Sequence, residues 1–170
     1  LEIKVKSWAE FVRENDERKD PTPYANYPNP AAKLVTFYLK GGAPEAGSLS
    51  LDKSSSKGTE TLVDNYSFSS EALAQADYTN HRLMYVSPTL KEDVHISGIS
   101  SITIKAASSK TAVNLSVYLV SLPWNNGRRT KITDNIITRG WADLQNYKSL
   151  TKSAPLKIGK FYEMTFDLQP

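Results

Sequence analysis

The sequence predicts an all-β protein, a two-sheet sandwich with little helix. Three observations carry that expectation. Apolar residues recur at every second position through short runs, the period of a half-buried strand. Gly, Pro and Ser clusters punctuate those runs, as turns between strands require. No strand–helix–strand rhythm appears, so a parallel sheet flanked by helices is not expected. The densest part is residues 82–120, RLMYVSPTLKEDVHISGISSITIKAASSKTAVNLSVYLV, which reads as four strands in a row. One face of each strand goes to a core and the other to solvent or a partner.

Taken in order, Leu1, Ile3 and Val5 alternate with charged residues, which predicts a short edge strand over 1–6. Across 7–19, Ser7 stands three before Glu10 in a capping-box pattern, with Trp8, Phe11 and Val12 on one helical face. A short helix and an irregular stretch are both open there. Residues 20–30 carry four prolines around Tyr24, Asn26 and Tyr27, so they form an extended connector. Those aromatics either dock a partner or, more commonly, cover the edge of the core. Residues 33–40 read as a strand ended by Gly41 and Gly42, residues 47–51 as a second, and 52–59 as a mobile polar loop. Ser70 caps a brief helix over 71–76, and 77–80 turn into the central stretch.

Within that stretch, Leu83 and Tyr85 make an extended piece that Pro88 stops. Val94 and Ile96 alternate up to Gly98, a turn signal. Ile102, Ile104 and Ala106 point one way while Ser101, Thr103 and Lys105 point the other. Val113, Leu115, Val117 and Leu119 repeat the pattern after a polar turn. Gly127 marks a hairpin loop within 124–129, and 131–138 continue as a strand through Ile132 and Ile136. The polar segment 139–147 is expected to be a long connection. Residues 161–168 close the chain, with Tyr162, Met164, Phe166 and Leu168 on one side.

A chain of 170 residues suits one domain with a real core. At 39% hydrophobic and 23% charged it reads as neither disordered nor membrane-embedded. No apolar run approaches the roughly 18 residues of a spanning helix, and residues 1–8 have no signal-peptide core. Twenty-one basic residues against eighteen acidic ones leave a net charge of +3, spread along the chain. Arg128, Arg129 and Lys131 beside Trp124 form the one compact basic cluster. It reads as a solvated hairpin loop, without the basic stripe and interleaved aromatics of a nucleic-acid site. Neither nucleic acid nor membrane is expected as a partner. The absence of cysteine excludes disulfides, thiolate metal sites and a Cys nucleophile. It favours the cytoplasm and permits export.

Catalytic signals are missing. A nucleophile elbow would read G-x-S-x-G; the nearest approach, Gly98–Ile99–Ser100–Ser101, lacks the final Gly and falls between strands. His81 and His95, the only histidines, read as surface imidazoles. Two lone histidines without Cys do not make a structural zinc site. Glu92, Asp93, Asp134 and Asp143 are scattered rather than spaced as a calcium loop. No Gly-rich phosphate loop is present. No catalytic residue, metal or cofactor is expected.

Several spaced motifs agree in order: RLMYVSPTLKEDVHISG, SITIKAASS, NLSVYLV, TRGWADLQN at 138–146 and FYEMTFDLQP at 161–170. Together they resemble the C-terminal β-domain of the X-Pro dipeptidyl-peptidase family, a domain type shared with cocaine-esterase and glutaryl-acylase-like hydrolases. The R-G-W-x-D-x-Q-N run tilts the choice towards the X-Pro peptidases, and the match runs from about Asn29 to the end. The resemblance implies a jelly roll of the galactose-binding-like kind over 31–170, after a lead-in over 1–30, in one domain. It also implies that the chain is an excised piece of a larger serine hydrolase, whose domain continues past Pro170 by at least one core strand. An edge left open in that way would allow a homodimer.

Members of that family remove an N-terminal dipeptide whose second residue is proline, using Ser, Asp and His on a preceding α/β-hydrolase domain. None of that triad maps onto this sequence. The resemblance therefore implies a non-catalytic domain that packs on the hydrolase domain and helps wall the substrate entrance. It does not separate a peptidase parent from an esterase or acylase one. Arg139, Trp141, Asp143, Gln145 and Asn146 become candidates for that contact. Trp141 can bury a large flat area, and Arg139 and Asp143 can orient a partner through charge-assisted bonds. The plainer role, which the residues favour, has Trp141 plugging the sandwich end beside a local Arg139–Asp143 pair. A second function class is a carbohydrate-binding module, with Trp124 beside Asn125 and Asn126 as its platform. A sugar module would show one of these tryptophans in a shallow groove; a docking domain would show an exposed apolar patch.

Overall fold

The cleanest alternation makes the longest ladders. The computed structural model describes residues 2–5, 11–13, 25–53, 58–123 and 135–169. Its strands in chain order are β1 (Glu2–Val5), β2 (Phe11–Arg13), β3 (Tyr38–Lys40), β4 (Gly47–Ser50), β5 (Tyr85–Val86), β6 (Val94–Ser97), β7 (Ser101–Ala106), β8 (Asn114–Val120), β9 (Ile136–Asp143) and β10 (Tyr162–Asp167). One α-helix, α1, covers Ser70–Gln75, and a 3-10 turn covers Leu144–Asn146. The all-β expectation holds. Among the described residues no helix is long and apolar enough to cross a membrane.

Two antiparallel ladders form the centre. In the first, β7 pairs with β10, setting Ile102, Ile104 and Ala106 opposite Phe166, Met164 and Tyr162. In the second, β8 pairs with β9 from Asn114↔Asp143 to Val120↔Ile136, with an irregularity beside Leu119. The apolar faces of the two ladders meet. Leu144, Leu156, Tyr162 and Met164 form the buried cluster, with Ala106, Val113, Leu115, Ala142, Tyr147 and Phe166 packed on it. Leu144 has no exposed surface at all, so the turn after β9 is the plug of this core. Tyr147 tilts onto Tyr162 at 4.6 Å between ring centres. The Lys157 N–H donates to the Tyr162 hydroxyl at 2.8 Å, which gives that buried phenol its partner. A smaller cluster joins Ile137 to Leu90, Ile96 and Leu119.

Two smaller sheets flank the centre, ordered β2-β1-β6 and β3-β4-β5. The first corrects two expectations. The expected edge strand at 1–6 is not an edge over its described residues: β1, Glu2–Val5, pairs with β6 on one side and β2 on the other. Nor is Phe11–Arg13 helical; Val5 pairs with Phe11 and Lys4 with Val12. An aromatic and a β-branched residue suit a strand, and cross-strand pairing outweighs a local capping pattern. The flanking residues of the expected helix, 7–10 and 14–19, lie outside those described. In the second sheet the ladder of 33–40 shrinks to Tyr38–Lys40, because the β4 partner ends at Ser50. Helix α1 begins one residue early, and Ser69 rather than Ser70 caps it, its Oγ accepting from the Ala72 N–H at 3.1 Å.

The largest correction concerns 139–147. Its first five residues are strand, and Leu144–Asn146 is the 3-10 turn. The apolar alternation is hidden because the inward positions are Gly140 and Ala142, which add almost no hydrophobic signal. Residues 131–134 of the expected strand lie outside those described, as do the basic cluster Arg128, Arg129 and Lys131, and most of the 52–59 loop's centre.

Arg82 ties the helix to the second sheet. Its Nε donates to the Leu73 carbonyl at 2.9 Å, and its Nη2 to Ala76 at 2.6 Å. Its Nη1 reaches Ala43 at 2.8 Å, Pro44 at 3.1 Å and Glu45 at 3.0 Å. The guanidinium thus satisfies carbonyls at the end of α1 that helix geometry leaves open. Burial lowers its pKa, yet an arginine stays charged in proteins. Across the same loop, Glu60 Oε1 accepts from the Gly42 and Ala43 N–H groups at 2.6 and 2.8 Å. Its Oε2 accepts from the Tyr85 hydroxyl at 2.6 Å. Glu60 is held below the usual carboxylate range by the Tyr85 bond first, against the opposing effect of burial, and then by the two N–H bonds. Burial, then the Glu60 bond and charge, push the Tyr85 phenol up.

Two expectations follow for stability. Arg82→Lys keeps the charge but offers one compact ammonium in place of a fork, and should cost about 3 kcal/mol. A lower denaturant midpoint with an unchanged slope measures it. Glu60 binds its proton less readily in the folded state. Its contribution is therefore complete above the ordinary carboxylate range and fades as pH falls through the lower folded value. Glu60→Gln should flatten the acid limb of a stability–pH curve, and an acid limb identical to that of the parent chain would refute the assignment.

Candidate functional site

The register of the β8–β9 ladder sets which way the candidate residues face. Along β8, Leu115, Val117 and Leu119 face inward, so Asn114, Ser116 and Tyr118 face out. Their cross-strand partners are Asp143, Trp141 and Arg139 respectively. Cross-strand partners share a face. Arg139 and Trp141 thus stand with Tyr118 on the outer surface.

Trp141 is 52% exposed, so it does not plug the sandwich. The Arg139 guanidinium carbon lies 5.1 Å from the centre of its ring, a cation–π contact. That contact takes one of the two ring faces a sugar would need for stacking. Trp141 stands on a two-stranded ladder face. Trp124, Asn125 and Asn126 lie outside the described residues.

Asp143, Gln145 and Asn146 serve the turn. Asp143 Oδ1 accepts from the Gln145 N–H at 2.9 Å, capping the 3-10 turn rather than holding Arg139. The Gln145 carbonyl accepts from the Ala154 N–H and the Asn146 carbonyl from the Ser149 N–H. Asn146 Oδ1 is buried and makes no hydrogen bond among the described residues. The five candidates from one motif therefore divide by role and not by parity, since Asp143 shares the outward register of Arg139 and Trp141. Asp143, Gln145 and Asn146 shape the turn that buries Leu144, and Arg139 and Trp141 take no part in it.

Between the outward pair stands Gly140, which is buried. A Cβ there would lie 2.8 Å from Leu168 Cδ2, 3.0 Å from the Asp167 carbonyl oxygen and 3.2 Å from Leu168 Cα. The end of β10 crosses β9 at this point. The Gln169 N–H donates to the Arg139 carbonyl at 2.8 Å, and Thr138 Oγ1 donates to the Gln169 carbonyl. The motif thus joins a crossing of the two ladders to an outward Arg–Trp pair.

Elsewhere the chemistry is spent on structure. His81 stacks on Phe68 at 5.0 Å between ring centres, and its Nδ1 lies 2.7 Å from the Val63 carbonyl oxygen. His95 is exposed on β6. Among the described residues no group of three or more His, Cys, Asp or Glu is placed to hold a metal ion. Sequence reasoning missed Tyr118, Gly140 and Arg82. Tyr118 carried a signal, being the one aromatic at an outward position of β8. Arg82 carried none beyond opening its motif, because its partners are backbone carbonyls.

The sequence is similar to known proteins along nearly its whole length. The family described as the X-Pro dipeptidyl-peptidase C-terminal non-catalytic domain matches residues 11–170. A protein of Rhodopirellula baltica named "Putative Xaa-Pro dipeptidyl-peptidase" is 56% identical over 165 residues, covering 97% of this chain and 26% of its own length. Proteins of the same name from Bacillus anthracis and Bacillus cereus are 33% and 31% identical, each over 91% of this chain. The chain spans about a quarter of the length of the curated relatives it matches. No solved structure matches it.

Gly140 gives this surface its sharpest test. Gly140→Ala forces the Asp167–Leu168 backbone to shift and should cost about 1–3 kcal/mol. Trp141→Ala removes a half-exposed ring and should cost under about 1 kcal/mol. Equal losses in paired denaturation curves would show that the crossing is not the constraint.

Proposed function

Because the chain belongs to the family of X-Pro dipeptidyl-peptidase C-terminal non-catalytic domains, we propose that it is the accessory domain of a serine hydrolase releasing N-terminal X-Pro dipeptides. One observation carries the reading: the family match over 11–170 joins this chain to relatives about four times its length, named for that activity. On this reading Ser, Asp and His stand on a preceding α/β-hydrolase domain, and the present domain packs on it and helps shape substrate access. Arg139 and Trp141 are the residues we assign to that edge of the entrance. Supporting them is their exposure on the paired strand β9, where an Arg already in contact with the Trp ring loses little freedom when a peptide approaches. The galactose-binding-like jelly roll belongs to the same reading.

The experiment uses the full-length chain carrying this domain, assayed on a Gly-Pro chromogenic amide beside an acyl-ester control. Amide cleavage is expected, with none from residues 1–170 alone. Ester cleavage without amide cleavage would move the parent to the esterase branch. Activity from 1–170 alone would end the non-catalytic reading. For the entrance, Arg139→Ala and Trp141→Ala should raise KM several-fold with kcat retained. A fall in kcat at unchanged KM would remove these residues from substrate access.

A further inference from the structure

Exposed apolar residues gather beside one end of the β3–β4 ladder. Leu39 pairs with Leu49 across the β3–β4 ladder. Two residues out from each stand Phe37 and Leu51, and Val35 comes two before Phe37. Exposure is 56% for Val35, 49% for Phe37, 40% for Leu39 and 66% for Leu51. Isolated apolar side chains at a surface are ordinary, whereas a contiguous apolar patch marks an interface. The next residues at the same spacing are Lys33 and Lys53, both exposed. Exposed apolar residues thus flank this end of the ladder, with Lys33 and Lys53 next to them in sequence.

We propose that this face, Val35–Phe37–Leu39 with Leu49–Leu51, is where the catalytic portion of the full-length chain docks. The inference rests on the accessory-domain reading and adds its contact surface. Two observations choose this occupant. The relatives extend over about three quarters of their length beyond the matched part, enough for a permanent partner in the same chain. A second copy would meet these lysines with its own, and the chain carries net +3. The docked surface should therefore be apolar with a carboxylate opposite Lys33 and Lys53. The other sandwich faces fit less well. The outer face of β7–β10 is polar and paired within itself, Thr103 with Thr165 at 2.7 Å and Lys105 with Glu163 at 3.3 Å.

Hydrogen exchange tests this by comparing the full-length chain with residues 1–170. Amides of 35–39 and 49–51 should exchange at least about tenfold more slowly in the full-length chain. The double substitution Phe37→Lys, Leu51→Lys should abolish that difference while leaving the thermal midpoint of 1–170 unchanged, since both side chains are exposed. Slowing confined to 116–118 and 139–141 would overturn this face and leave the accessory-domain reading standing. No slowing anywhere in the domain would overturn both. Protection of 35–39 in 1–170 alone, growing with its concentration, would assign the face to a second copy and overturn the proposal.

Discussion

The sandwich depends on one close approach. The chain leaves β10 and crosses β9 where Asp167 and Leu168 lie against Gly140. Strands of the two ladders pair within their own ladder, so little backbone hydrogen bonding joins them except here, where Gln169 bonds to Arg139. Any side chain at 140 would hold the ladders apart at that end. The distance between them sets how well Tyr162 and Met164 meet Leu115 and Ala142, and interiors tolerate few gaps. Leu144 then fills the space one turn further on. A small residue, a crossing and a plug are thus parts of one packing solution.

That solution explains what the sequence made legible. Strands β7, β8 and β10 were readable because their inward positions are large: Ile102 and Ile104, Leu115 and Val117, Tyr162 and Met164. The second half of β9, residues 139–143, was not, because its inward positions are Gly140 and Ala142. The pattern that marks a strand vanishes where packing demands the smallest residues. Phe11–Arg13 failed for a different reason. A capping pattern is local information, and the β1 partner that overrides it is not. Among the candidates, Arg139 and Trp141 were visible by residue type, but their outward direction followed only from register with Tyr118 and Ser116. Arg82 shows the limit most plainly, since an arginine bonded to five carbonyls has no partner side chain for a sequence to display.

The polar clamps have a role beyond their own loop. Arg82 and Glu60 fix the turn at 42–45 from opposite sides, one through carbonyls and the other through N–H groups. That turn leads into β4, and Gly47 at its start leaves room for the Lys40 carbonyl and the Tyr85 ring. The second sheet therefore takes its register from hydrogen bonds more than from buried apolar area. A sheet held this way can keep its outer apolar residues free. Phe37, Leu39 and Leu51 are not needed to hold β3 against β4.

The outer surfaces of β7–β10, β8–β9 and β3–β4 consequently differ in kind. The β7–β10 face closes its polar groups on one another and gains nothing from a partner. The β8–β9 face presents Arg139 and Trp141 in a cation–π contact, which costs little to keep in water. The β3–β4 face leaves aliphatic and aromatic surface in water with no internal compensation. Hydrophobic surface is stabilised only by being covered, whereas a stacked Arg–Trp pair is stable exposed. On the proposed reading, a permanent neighbour would belong on β3–β4 and transient contact on β8–β9. That division would suit the proposed accessory role, with one side fixed to the rest of the chain and the other left open.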